Sequence, residues 1–376
     1  MKKKFDIKKC ASFILQMILG AGVGVIFGIY LLEAPEKSSM IQELLYPFYL
    51  IGCIIISLII QTIIHEAGHL FFGLLSGYKF SSFRIFSLII IKDNGKIRLK
   101  KLSLVGTAGQ CLMSPPEIKD GKIPVTFYNL GGSLMNIISC AILTPIYCLL
   151  KDVPYLSAGL MVLIMFGIIG AFTNAIPMNM GAVNNDGYNA ISLRKNPDAM
   201  AAFYNQLKVN ELSTKGIRLK HMDESYFTVP SDDAMKNCLV ATQGVFACNR
   251  LVDMHQFDEA DKLMEHILKI DTAIVGVHKN LLMCDRIYIA LINHRVDNIE
   301  RMLSKEQKSF MKSMKEYPTV IRTNFVLALL FENDTDKAEQ YRKQFNKRAK
   351  SYPFENDIEV ERELMDIAER VYNEYK

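Results

Sequence analysis

The segment IIQTIIHEAGHLFFGLLSG, residues 59–77, sets His65, Glu66 and His69 inside one of the most apolar stretches of the chain. Charged and ionisable side chains are costly at membrane depth, and where they occur there they mark function. His65 and His69 stand at i and i+4, so one helical face carries both imidazoles. Nitrogen ligands at that spacing suit a shared zinc ion. Glu66 falls on an adjacent part of the turn, placed to act as a base and not as a ligand. Zinc lowers the pKa of a bound water to about 7, and a carboxylate can take its proton as it attacks a carbonyl. This is the H-E-x-x-H logic of zinc peptidases.

The surroundings of this segment define a membrane protein. The chain has 376 residues, half of them apolar, with a net charge of +5. That length calls for more than one domain. Apolar residues dominate 11–190 and then give way to a charged, patterned tail. Four segments are long enough to cross a hydrocarbon core, which needs roughly 20 apolar residues: about Ala11–Leu32, Leu44–Leu75, Val125–Leu150 and Leu156–Met178. The first follows MKKKFDIKK, but its apolar run exceeds a signal-peptide core and no A-x-A site follows, so it reads as a span. Five lysines and one acid precede it, whereas EAPEKSSMIQE after it carries three acids and one lysine. The loop between the second and third spans is strongly basic (Lys79, Arg84, Lys92, Lys96, Arg98, Lys100, Lys101, Lys119, Lys122). Positive-inside bias therefore puts both termini and this loop in the cytoplasm. The basic residues follow topology and give no reason to expect nucleic acid as a partner. The eight cysteines form no C-x-x-C pair and read as reduced thiols.

Within the basic loop, RIFSLIIIKDNGKIRLKKLSL reads as two β-runs around Asp93-Asn94-Gly95, a hairpin spanning about 83–105. Such a hairpin at the membrane surface serves either as a cover or as an edge strand that pairs with an extended substrate. GTAGQCLMSPPE then reads as a Gly/Pro-rich return to the membrane.

A hydrolytic zinc site needs a third protein ligand and an open position. Between Asp152 and Asp198 the sole acidic residue is Asp186, in NAIPMNMGAVNNDGYNAISL after the fourth span. It is expected at the depth of His65 and His69 and is the best third ligand. In NLGGSLMNIISC, Gly131, Gly132 and Ser133 allow close helix packing and Asn136 faces inward. Asn174 precedes Pro177, which loosens the end of the fourth span. Two roles suit Asn136 and Asn174: joining helices, or hydrogen-bonding the substrate backbone or a developing oxyanion.

With these motifs in order, the chain resembles the site-2 protease family of intramembrane zinc metalloproteases (peptidase family M50). HEAGH in an apolar helix matches the zinc motif of that family, GGSLMN is similar to its small-residue-plus-Asn motif, and NAIP…NDG resembles its Asn-Pro…Asp-Gly motif. The likeness covers roughly residues 44–194. It implies cleavage of a membrane-spanning or signal-peptide-like substrate, with one zinc on His65, His69 and Asp186 and with Glu66 as base. The chain departs from the pattern in one place: twelve residues, not eight, separate Asn174 from Asp186. The absence of a PDZ-like insertion points to the compact branch found in bacteria, and so to the bacterial cytoplasmic membrane.

Residues 195–376 read as a cytoplasmic α-helical domain. FDEADKLMEHILKID (Phe257–Asp271) and DTDKAEQYRKQFNKRAKSYP (Asp334–Pro353) each begin with an acidic cap and carry an Ala at a close-packing position. Repeated helix pairs of this kind resemble a tetratricopeptide-type solenoid, which would offer a groove to a peptide or regulatory protein; a plain bundle is the other reading. The expected architecture is an all-α polytopic membrane protein with about four spans and a small membrane-associated β-hairpin. It divides into residues 1–43, a metalloprotease core over 44–194, and the helical tail. The alternative to an enzyme is a catalytically idle membrane receptor that binds a peptide or protein partner through that tail.

Overall fold

The computed structural model of the chain describes residues 38–93, 96–102, 107–178 and 184–374, with scattered positions between 17 and 28. The expected first span over 11–32 and the turn residues Asn94 and Gly95 fall mainly outside the described residues. The chain divides into two compact units, one of residues 1–86 and 104–197, the other of residues 87–103 and 198–376.

The first unit is built on α1 (Met40–Leu75), α2 (Val125–Leu150) and α3 (Pro154–Ala175). All three are long and apolar enough to cross a membrane. Two of them carry local start or stop signals. At the start of α1, Ser39 and Gln42 cap each other reciprocally, the side chain of each accepting the backbone N–H of the other. At its end Gly77 adopts φ +86°, while the N–H groups of Gly77 and Tyr78 close back onto Leu74 O and Gly73 O. That is the left-handed helix stop that favours glycine. Pro154 opens α3, where its missing N–H costs nothing. Outward-facing Phe48, Ile55, Ile56, Leu74 and Phe127 are all at least half exposed, an apolar surface far larger than water-soluble proteins present. Buried polar residues of α1 instead line one stripe, Ser57, Gln61 and His69, against α2 and α3.

Four strands follow α1: β1 (Lys79–Ile85), β2 (Leu88–Asp93), β3 (Lys96–Lys101) and β4 (Gly109–Ser114). The expected hairpin corresponds to β2 and β3, which pair antiparallel from Leu88↔Lys101 to Asp93↔Lys96. The expectation of one hairpin over 83–105 nevertheless needs correcting. Residues 79–85 form a separate strand whose antiparallel partner is β4, in the stretch that reads from sequence as an irregular return. Gly109 and Ser114 have low strand propensity, and pairing overrides it.

The second unit contains the β2–β3 hairpin and the helices α5 (Pro197–Thr214), α6 (Cys238–Asp253), α7 (Phe257–Lys269), α8 (Gly276–Ile292), α9 (Ile299–Met302), α10 (Lys305–Ser313), α11 (Pro318–Val326), α12 (Thr335–Ala349) and α13 (Glu355–Glu374), where α4 (Asp186–Ser192) belongs to the first unit. The hairpin is held to the helices by Lys101 N–H on Ser351 O at 3.1 Å and Arg348 on Lys101 O. The tail is more regular than its sequence reads. Left-handed residues His255, His294 and Asn333 follow α6, α8 and the wider helical turn Leu327–Phe331 that continues α11, and they stand 39 residues apart each time. Buried Ala260, Ile299 and Ala338 recur at the same interval on the helices that follow. The period is carried by corner geometry at His255, His294 and Asn333, residue types that enter the left-handed region more readily than most.

Candidate metal centre

His65 and His69 project from the last third of α1 towards α2, and Asp186 comes to them as the first residue of α4. His65 Nε2 lies 3.1 Å and His69 Nε2 3.4 Å from Asp186 Oδ2, and the two Nε2 atoms are 3.2 Å apart. Each ring is oriented from behind. His65 Nδ1–H donates to Asn136 Oδ1 and His69 Nδ1–H to Tyr128 O, both at 2.8 Å. The orientation of the Asn136 amide is fixed by its other end, where Nδ2 donates to Gln61 O at 3.1 Å and Gln61 Oε1 at 2.8 Å. With Nδ1 protonated on both rings, both Nε2 atoms present lone pairs to the same point as a carboxylate oxygen. Three such atoms repel one another unless a proton or a metal cation stands between them.

The donor set fits zinc. A tetrahedral ion with bonds of about 2.0–2.1 Å needs ligand atoms separated by roughly 3.3 Å, and the three edges here are 3.1, 3.2 and 3.4 Å. The hydrogen bonds behind the rings are the outer-shell contacts such ligands require.

Glu66 is buried, with its carboxylate against Gly109 at the start of β4, where a Cβ would overlap it. A cavity of about 350 Å³ adjoins His65, Glu66, Gly109, Asn136 and Asn174. Arg84 of β1 is 1 % exposed and donates to Phe86 O, Thr107 O, Thr107 Oγ1 and Gly109 O. It thereby braces the backbone beside Glu66. Burial lowers its guanidinium pKa from the ordinary value, and the Glu66 carboxylate opposes that shift. In the sequence, Arg84 reads as a topology charge alone.

The two asparagines part company. Asn136 is spent on His65 and Gln61, so it joins α1 to α2 and orients the His65 ring; both its amide hydrogens are directed at Gln61. Asn174 lines the cavity, with Nδ2 donated to Gly170 O one turn earlier in α3. Asn185 is a further positioning residue, one that the sequence motifs do not single out. Its backbone N–H reaches Met178 O, its Nδ2 donates to Thr173 O and Ile176 O, and its Oδ1 accepts from Met178 N and Tyr188 N. The last of these caps α4 at its start. The signal for it in the sequence is an Asn immediately before Asp186 at a helix start.

Glycine makes the approach of the helices possible. A Cβ on Gly131 would overlap Gly68 O, and one on Gly132 would overlap the His65 ring. Gly132→Ala is therefore expected to push α2 away from His65 and weaken zinc affinity on the order of tenfold or more, measured by competition with a chelator. Gly52→Ala, where nothing lies within 4 Å, leaves it unchanged.

Comparison with protein-family models, with curated proteins and with solved structures gave no match.

Proposed function

We propose that the protein is an intramembrane zinc peptidase of the site-2 protease type, which hydrolyses a peptide bond in a membrane-spanning or signal-peptide-like substrate. One observation carries the reading: a triangle of two imidazole nitrogens and a carboxylate oxygen with tetrahedral edges, beside a buried carboxylate that is not one of the three. His65, His69 and Asp186 would hold the ion, which when bound supplies a Lewis acid for activating water and polarising a carbonyl. Glu66 takes the proton of the attacking water and delivers it to the leaving amine. Asn136 and Tyr128 O keep both Nε2 atoms turned inward throughout. An extended substrate would lie along Ala108–Gly109, the start of β4, which pairs with β1 on one side. This moves the sequence expectation of an edge strand from the β2–β3 hairpin to β4.

The proposal includes residence in the bacterial cytoplasmic membrane, four spans, cytoplasmic termini, and a helical tail resembling a tetratricopeptide-type array that receives a regulatory peptide or protein. The test is elemental analysis of protein purified in mild detergent without chelators. About one zinc per chain is expected. A chain that takes up no zinc even when it is supplied would be an idle receptor instead.

A further inference from the structure

A second polar site lies far from the metal centre in sequence, in the helical tail. A cavity of about 140 Å³ is bounded by α6, α8, the start of α11, and α13. That exceeds by far the roughly 10–15 Å³ a single water needs. Four carboxylates line it: Asp253, Asp285, Asp357 and Glu361. Three of them are matched by guanidinium groups. Arg218 donates to Asp253 and also to Glu363, and the fully buried Arg322 bridges Asp285 and Glu361 while stacking over Tyr288 at 4.7 Å. Each arginine thus already serves two carboxylates. Asp357 has no cationic neighbour among the described residues, and its one hydrogen bond is from Asn356 Nδ2 at 3.1 Å. Burial, then Glu361 and Asp253, push its carboxyl up to about 7.

Asn356 supplies the independent observation. It lines the same cavity, is 2 % exposed, and its Oδ1 has no hydrogen-bond partner. A buried acceptor left unmade costs about 1–3 kcal/mol, and beside a carboxylate without a counter-ion it calls for a donor carrying positive charge. A metal ion is a poor fit. Among the described residues, the one group of His, Cys, Asp and Glu that converges closely enough for a metal is that of His65, His69 and Asp186. An ammonium group has three donors to divide between the Asp357 carboxylate and Asn356 Oδ1. The apolar wall from Leu281, Val360 and Leu364 suits an alkyl stem.

We propose that this cavity binds an alkylammonium group, held by Asp357 and Asn356, whether borne on a lysine side chain of a peptide or on a free amine. Titration calorimetry on the full-length protein in non-ionic detergent tests this with n-butylammonium chloride, n-butanol and an acetylated, amidated Gly-Lys-Gly peptide. Butylammonium or the peptide is expected to bind at least tenfold more tightly than butanol. Tighter binding of the peptide identifies a lysine side chain as the ligand, and binding of butylammonium alone identifies a free amine. Asp357→Asn, which keeps the shape, should weaken the preferred probe at least tenfold, whereas Glu359→Gln on the exposed side of α13 should not. Equal binding of butanol, unchanged affinity in Asp357→Asn, or the same loss in both variants would overturn the proposal. Neither probe nor variant touches the metal centre, so the outcome is independent of the peptidase assignment.

Discussion

A Glu66→Gln protein is expected to retain about one zinc per chain and to cleave peptide bonds at least 10²–10⁴-fold more slowly, the usual contribution of a positioned acid–base group. The amide has the size of the carboxylate it replaces, so the packing against Gly109 survives. It cannot accept a proton and return it. Glu66 is not one of the three atoms that converge on the ion position, so removing its charge leaves the ligand set whole. The measurement is two-part: zinc per chain on the purified protein, and quantification of new peptide termini within apolar segments in membranes carrying wild type or variant. Persistent cleavage by the variant would refute the assignment of Glu66 as base; loss of zinc would instead make Glu66 part of the binding site.

The second large effect is expected at Asp186. Asp186→Ala removes the sole carboxylate of the converging group and leaves two imidazoles on one helix face. Loss of an outer-shell partner costs roughly 10–100-fold in metal affinity, and loss of a ligand should exceed that. Zinc should be stripped by a chelator concentration that leaves wild type loaded, and hydrolysis should fall with it. Because α4 is anchored by Asn185 and not by Asp186, the helix itself is expected to stay in place. Full zinc retention in Asp186→Ala would exclude the residue as third ligand.

The imidazole pair was legible because helical periodicity is local: two residues four apart share one helix face without any tertiary information. The same holds for the β2–β3 hairpin. The small residues at 131 and 132 also read correctly as a close helix approach, since nothing but a glycine fits where a backbone meets Gly68 O or a ring. What stayed hidden depends on partners distant in sequence. β4 has weak strand residues and exists through its pairing with β1. Asn136 could be read either as glue or as an oxyanion donor until its hydrogen bonds to His65 and Gln61 were known. Arg84 looked like one more cytoplasmic charge, although its guanidinium is almost wholly enclosed. In the tail, the acidic caps drew attention to helix starts, while the regularity lies in the corners between helices.

The four-way hydrogen bonding of Asn185 has a consequence for how such a site can diversify. Thr173, Ile176, Met178 and Tyr188 are tied through one side chain, so the end of α3 and the start of α4 are riveted together irrespective of what joins them. Closing a somewhat longer loop adds only a few tenths of a kcal/mol in chain entropy. The number of residues between Met178 and Asn185 can thus change without shifting Asp186. The twelve-residue step from Asn174 to Asp186 is then compatible with a fixed place for Asp186, which takes its coordinates from a rivet and not from a ruler.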